Sequence, residues 1–176
     1  MVDVLIILNL ALRLNMRYKY SKKEEREIKK ILPKEVPLTK DYEEYIDYFL
    51  SLTEQQILDD YSSKFNKGNF YEMIMTQAEH IELLLKVAIL LNTKKFSKGE
   101  LDKYSFFDVI NLAFLTKTIP DYFAKHYHDF RKIRNECAHD LFFNIKNQRN
   151  DFIDCFGKGS CYIFEIIDII RKMMSI

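Results

Sequence analysis

Glycine and proline are scarce, with 4 and 3 among 176 residues. A many-stranded sheet needs frequent tight turns, and turn chemistry of that density is missing, so long helices are the simplest architecture the chain supports. Disulfide chemistry is equally thin. Cys137, Cys155 and Cys161 cannot all pair within one chain, and a domain of this length buries enough core to stand without covalent staples. A reducing cytoplasm is the expected setting. Neither sign of charge dominates: 27 Lys and Arg face 26 Asp and Glu, which removes any argument from global charge for nucleic acid or a lipid surface. A basic site, if present, has to be local. Long hydrophobic runs are also lacking. The apolar opening VDVLIILNLALRLN is interrupted by Asn9, Arg13 and Asn15 short of a membrane span, and it has neither the basic start nor the small-residue cleavage site of a leader. It reads as a buried or interfacial helix, with Val4 to Leu8 also compatible with a strand, and no membrane association is expected.

What is present is apolar periodicity. Ser21 and Glu24 form a capping-box pattern before a charged helix that ends ahead of Pro33, and the chain should be extended from Pro33 to Pro37. Tyr42, Tyr45, Ile46, Phe49 and Leu50 then mark a helical stripe, with a fresh cap at Thr53 and Gln56. NKGN around Gly68 is a loop and the expected boundary between an amino-terminal helical extension, residues 1–65, and a helical bundle, residues 66–176. Asn69 to Leu91 carries the strongest helical signal, with Phe70, Ile74, Ala78, Ile81, Leu85 and Ala88 at spacings of three and four; the breadth of its apolar face predicts packing on several neighbours.

A polar connector, TKKFSKGELDKY, leads to a short helix from Phe106 to Thr116, capped by Ser105 and Asp108. Pro120 opens the next helix, where its missing N–H does no harm, and Phe123, His126, Phe130, Ile133 and Cys137 should face the core. GKGS, residues 157–160, reads as a turn before a last helix from Cys161 to Met174, whose stripe includes Ile163, Ile166, Ile167 and Ile170. It has neither the upstream glycine nor the preceding strand of a phosphate-binding loop.

At about 100° per residue, His128, Lys132, Asn135 and His139 fall in one arc away from the apolar stripe. Arg134 lies about 140° from His139 on the same wheel. One ideal helix therefore cannot aim both at one atom. Either the helix ends near Ala138 or a second chain completes the site.

Arg134 to His139 read RNECAH, the R-N-x-x-x-H pattern, late in a helix, and in this the chain resembles the HEPN superfamily. RKIRNECAHD, preceded by FFDVINLAFLTKTIPDYF, is similar to the mannitol operon repressor group within it; the likeness runs from about Phe70 to the carboxyl terminus. The resemblance implies an all-α helical bundle that pairs as a homodimer through the motif helix. It also implies metal-independent RNA cleavage, in a toxin or phage-defence setting, with no cofactor. Arg134 and His139 would be catalytic, with Asn135 beside them. The helix bearing Gln77, Glu79, His80 and Glu82 is similar to the partner helix of such bundles, where polar residues face the motif.

The chemistry fits those residue types. An imidazole at His139 suits proton transfer to or from an RNA hydroxyl. A guanidinium at Arg134 suits a phosphate gaining charge, and Asn135 would orient the imidazole or bond the phosphate. Arg131, Lys132 and His128 are the candidate RNA-binding residues. The competing expectation is a non-catalytic regulator or protein-binding scaffold of the mannitol repressor kind, in which Arg, Asn and His near a helix end cap carbonyls or hold an interface. A metal cluster of Cys137, His139, His126 and His128 is disfavoured because these residues scatter around the helix. Cys137, on the apolar stripe, should be an inert thiol.

Overall fold

The computed structural model describes residues 40–139 and 149–174. The amino-terminal apolar helix, the capped helix after Ser21 and the extended link from Pro33 to Pro37 lie outside the described residues. Among the described residues the protein is all α, with seven helices and no strand: α1 (Lys40–Ser51), α2 (Glu54–Asn66), α3 (Phe70–Thr93), α4 (Lys98–Leu101), α5 (Phe106–Leu115), α6 (Asp121–His139) and α7 (Arg149–Met174). No helix among them is long and apolar enough to cross a membrane.

Local sequence starts three of these helices. The Thr53 side chain accepts from the Gln56 N–H while the Gln56 side chain accepts from the Thr53 N–H at 2.8 Å, a reciprocal capping box that satisfies two otherwise orphaned donors. Ser105 and Asp108 make the same arrangement for α5. A third box, Ser97 with Glu100, starts the single turn α4 inside the stretch expected to be a plain connector.

α3 is the axis of the bundle. Ile74, Ile81, Leu85 and Ala88 are buried as their spacing requires, and so are Met73, Leu84, Val87 and Ile89, so that α3 packs on α1, α2, α5, α6 and α7 together. α1 and α2 contribute Ile46, Phe49, Ile57 and Tyr61 to the same core. Tyr45, placed on that stripe by spacing, is instead 47% exposed.

Two further expectations are corrected. GKGS is not a turn: α7 runs unbroken through it for 26 residues. Glycine inside a helix costs roughly 1 kcal/mol relative to alanine, but here close packing offsets the loss. A Cβ on Gly159 would stand 2.5 Å from Gln77 Oε1 and 2.9 Å from Phe130 Cζ, so the bare backbone lets α3 and α6 approach α7. The neighbouring Ser160 hydroxyl donates to Phe156 O at 2.8 Å, and Gln77 Nε2 donates to both Phe156 O and Ser160 Oγ. The second correction is His126, which is exposed, while Tyr127 fills the core. Tyr162 of α7 causes the exchange: its ring stacks on His126 at 5.9 Å and meets Tyr127 edge-on at 5.4 Å, leaving the imidazole at the rim.

Candidate functional site on the α6 helix

α6 is continuous from Asp121 to His139, so the motif does not bend at Ala138 to bring its ends together. Arg134 and His139 occupy one helix and diverge by about 140°. His139 is exposed in the last described turn. Arg134 is half-buried; its Nη1 donates to Asn135 Oδ1 at 3.2 Å, and its Nε is buried without an acceptor. Among the described residues no carboxylate pairs with it.

The arc expected to hold His128, Lys132, Asn135 and His139 splits. His128 turns toward α5, with Nε2 2.9 Å from Asn111 Oδ1 and its ring 5.1 Å from that of Phe107. Burial first, then the adjacent Arg131 and Lys132, pulls its pKa down to about 4, so the imidazole is neutral at pH 7. With the amide oriented this way, the proton sits on Nε2 and is donated to Asn111, while Nδ1 is buried without a partner. His128 is therefore a neutral link between α5 and α6 and supplies no positive charge.

Arg131, one turn before Arg134, lies with its guanidinium carbon 5.0 Å from the Phe107 ring centroid. Its Nε is also buried without an acceptor, and no carboxylate among the described residues pairs with it. The lysines beside it differ. Lys132 and Lys125 both hold Asp129, at 3.0 and 2.7 Å, and their hydrogen bonds draw that carboxyl down to about 2. Lys132 is solvent-exposed and shares the single Asp129 carboxylate with Lys125.

The remaining candidates do not converge. Cys137 is buried, and desolvation, then the nearby Cys155, raises its thiol to about 11, leaving almost no thiolate at neutral pH. Cys137, His126, His128 and His139 point to different surroundings, and among the described residues no group of three His, Cys, Asp or Glu is placed to hold a metal. The polar residues of α3 face elsewhere: Gln77 meets α7, the His80 ring packs on Phe49 and bonds Tyr61 Oη at 2.5 Å, and Glu82 pairs with Lys86.

Phe107 and Asn111 are the site residues that motif reading missed. Asn111 did carry a signal, as the one amide in the otherwise apolar run VINLAFL: a polar group buried to 2% exposure requires a partner, and its partner is on α6. Phe107 carried none, since an aromatic residue at the start of an apolar helix reads as core.

No protein-family model, no curated protein and no solved structure gives a significant match to this chain.

Proposed function

We propose that the protein is a metal-independent endoribonuclease of the HEPN type, acting through Arg134 and His139 at a site completed by a second copy of the chain. The observation that carries this reading is the state of the two arginines. Arg131 and Arg134 are half-buried on successive turns of one helix, with no carboxylate among the described residues to balance either. A partly desolvated cation without a counter-ion is an anion site in waiting, and a guanidinium matches a phosphodiester in geometry as well as charge. His139, exposed one turn after Asn135, is a proton carrier at the same end.

In this scheme the ribose 2′-hydroxyl loses its proton to one His139 imidazole and attacks phosphorus, and the bond to the 5′-oxygen breaks. The leaving oxygen is protonated by the His139 of the second copy. Arg134 neutralises the charge that builds on the phosphoryl oxygens, which electrostatic preorganisation makes its largest contribution. Two copies resolve the divergence of Arg134 from His139, because the arginine of one helix then serves the histidine of the other. Arg131 and Lys132 attract the backbone, with Lys132 weaker because Asp129 already matches it.

Purified protein should cleave single-stranded RNA in EDTA, and His139→Ala and Arg134→Ala should each slow cleavage by roughly a hundredfold or more. Variants that cut as fast as wild type would remove the reading. A second reading, a non-catalytic regulator or scaffold of the mannitol repressor kind, is favoured by one specific observation: the polar side chains of α6 are partly spent on packing, His128 on Asn111 and Arg131 on Phe107. It predicts intact RNA with wild-type protein and a loss of stability or of partner binding on His139→Ala.

A further inference from the structure

At the α5–α6 contact, Phe107, Asn111 and His128, to which the catalytic reading gives no role, surround Arg131, to which it gives only a general attraction for the backbone. Phe107 packs against two residues of α6 at once, the ring of His128 at 5.1 Å and the guanidinium of Arg131 at 5.0 Å. Asn111, one turn further along α5, fixes His128 through its Nε2. His128 and Arg131 are one helical turn apart, and so are Arg131 and Arg134, which makes a ridge along α6. An aromatic face holds a cation without cancelling its charge, whereas a carboxylate would do both. Lys125 and Lys132, on the same helix, show the other outcome: they share the one carboxylate of Asp129, which offsets one of their two charges. A protonated imidazole beside Arg131 would repel it; the neutral His128 spaces the turn without that penalty.

We propose that Phe107, Asn111 and His128 build a phosphate-gripping subsite one turn ahead of the motif, in which Arg131, laid over the Phe107 ring, binds a backbone phosphate of a single strand next to the scissile one. Arg131 is the ligand residue; Phe107, Asn111 and His128 are positioning residues that act through it. The subsite rests on the reading of the protein as RNA-directed, and deepens it by separating a residue that grips the strand from those that cut it. It reads charge and backbone, with no base specificity, because a guanidinium to phosphate contact carries no sequence information.

The test uses the full chain and a fluorescein-labelled single-stranded oligodeoxynucleotide, which has the phosphodiester backbone but lacks the 2′-hydroxyl consumed in cleavage. Anisotropy is followed across a salt series for wild type, Arg131→Gln, Phe107→Leu and Phe107→Tyr, with folding checked by circular dichroism. Arg131→Gln should weaken binding roughly tenfold at low salt and flatten the logarithmic salt dependence by about 0.7, the value for one phosphate of a single strand. Phe107→Leu should weaken binding by a smaller factor and Phe107→Tyr, which keeps the ring face, should restore it. A role limited to packing would leave the salt slope untouched. Wild-type affinity and slope in Arg131→Gln overturn the proposal, as does Phe107→Tyr binding as weakly as Phe107→Leu, or wild type failing to bind the strand at low salt. Strand binding without RNA cleavage would leave the subsite standing and sink only the nuclease reading.

Discussion

At the seam between α3 and α7 a buried polar side chain is met from across the interface: Gln77 is fully buried and its amide donates to Phe156 O at 3.1 Å and Ser160 Oγ at 3.2 Å. On α6, two half-buried arginines have, respectively, an aromatic ring of α5 and a neighbouring amide, and no carboxylate among the described residues. Both regions remove polar groups from water, and the difference lies in what they are given in return. A seam whose buried amide nitrogen donates twice across the interface, with Gln77 Oε1 left without a donor among the described residues, is built for rigidity, and mutating it should change stability. A face that keeps cations partly desolvated, with no carboxylate against them among the described residues, retains its affinity for an anion, and mutating it should change binding.

The largest stability effect should come from the seam. Gly159→Val places side-chain atoms where Gln77 and Phe130 already sit, and should destabilise by about 3 kcal/mol, the upper end for an overpacked core. Gly157, two residues earlier in the same helix, has nothing within 4 Å of a built Cβ, so Gly157→Ala should instead stabilise by about 0.5–1 kcal/mol. Urea unfolding of both variants measures this, and equal effects at the two glycines would break the comparison.

A smaller effect should appear with pH. The folded-state pKa values of His128 and His80 both lie near 4, below the ordinary 6.5, in each case chiefly through burial. The unfolded chain therefore binds more protons between those values. The stability these groups contribute is complete above pH 6.5 and is lost as pH falls toward 4. For the partly exposed His128 the loss should be about 1 kcal/mol after discounting for solvent screening. Melting temperatures at pH 7 and pH 4.5 should fall less for His128→Gln than for wild type; an unchanged pH dependence in that variant would mean that the imidazole is not held neutral by α5.

The smallest effect is expected at Lys132. Its bond to Asp129 is an exposed i,i+3 pair, and Lys132→Ala should alter stability by no more than about 0.5 kcal/mol. A larger loss in thermal unfolding would place Lys132 in the packed part of α6 and blur the distinction drawn between its lysines and its arginines.

Much of the bundle was legible because its signals are local. The Thr53 and Ser105 boxes depend on residues three apart, and the buried residues of α3 recur within a single helix, so sequence spacing alone fixes both. GKGS misled for a physical reason: glycine has a turn propensity on its own and a close-packing role only when another helix is present, and Gln77 is far away in the chain. His126 failed in the same way, since the choice between it and Tyr127 for the core was made by Tyr162 of α7.

The site divides along the same line. The residues 134–139 were visible as a motif, and the divergence of Arg134 from His139 followed from helix geometry before any tertiary contact was known. The sequence by itself determined the all-α architecture of the described residues, the starts of several of their helices and the helix on which the basic residues lie, because hydrophobic period and capping act over one or two turns. Only the tertiary structure decided that His128 would be a neutral link, that Lys132 would be matched and that Arg131 would rest on an aromatic face. The charge and reach of a side chain are set by what the neighbouring helices bring against it, and the rows of Phe107 and Asn111 on α5 meet α6 only after the bundle has closed.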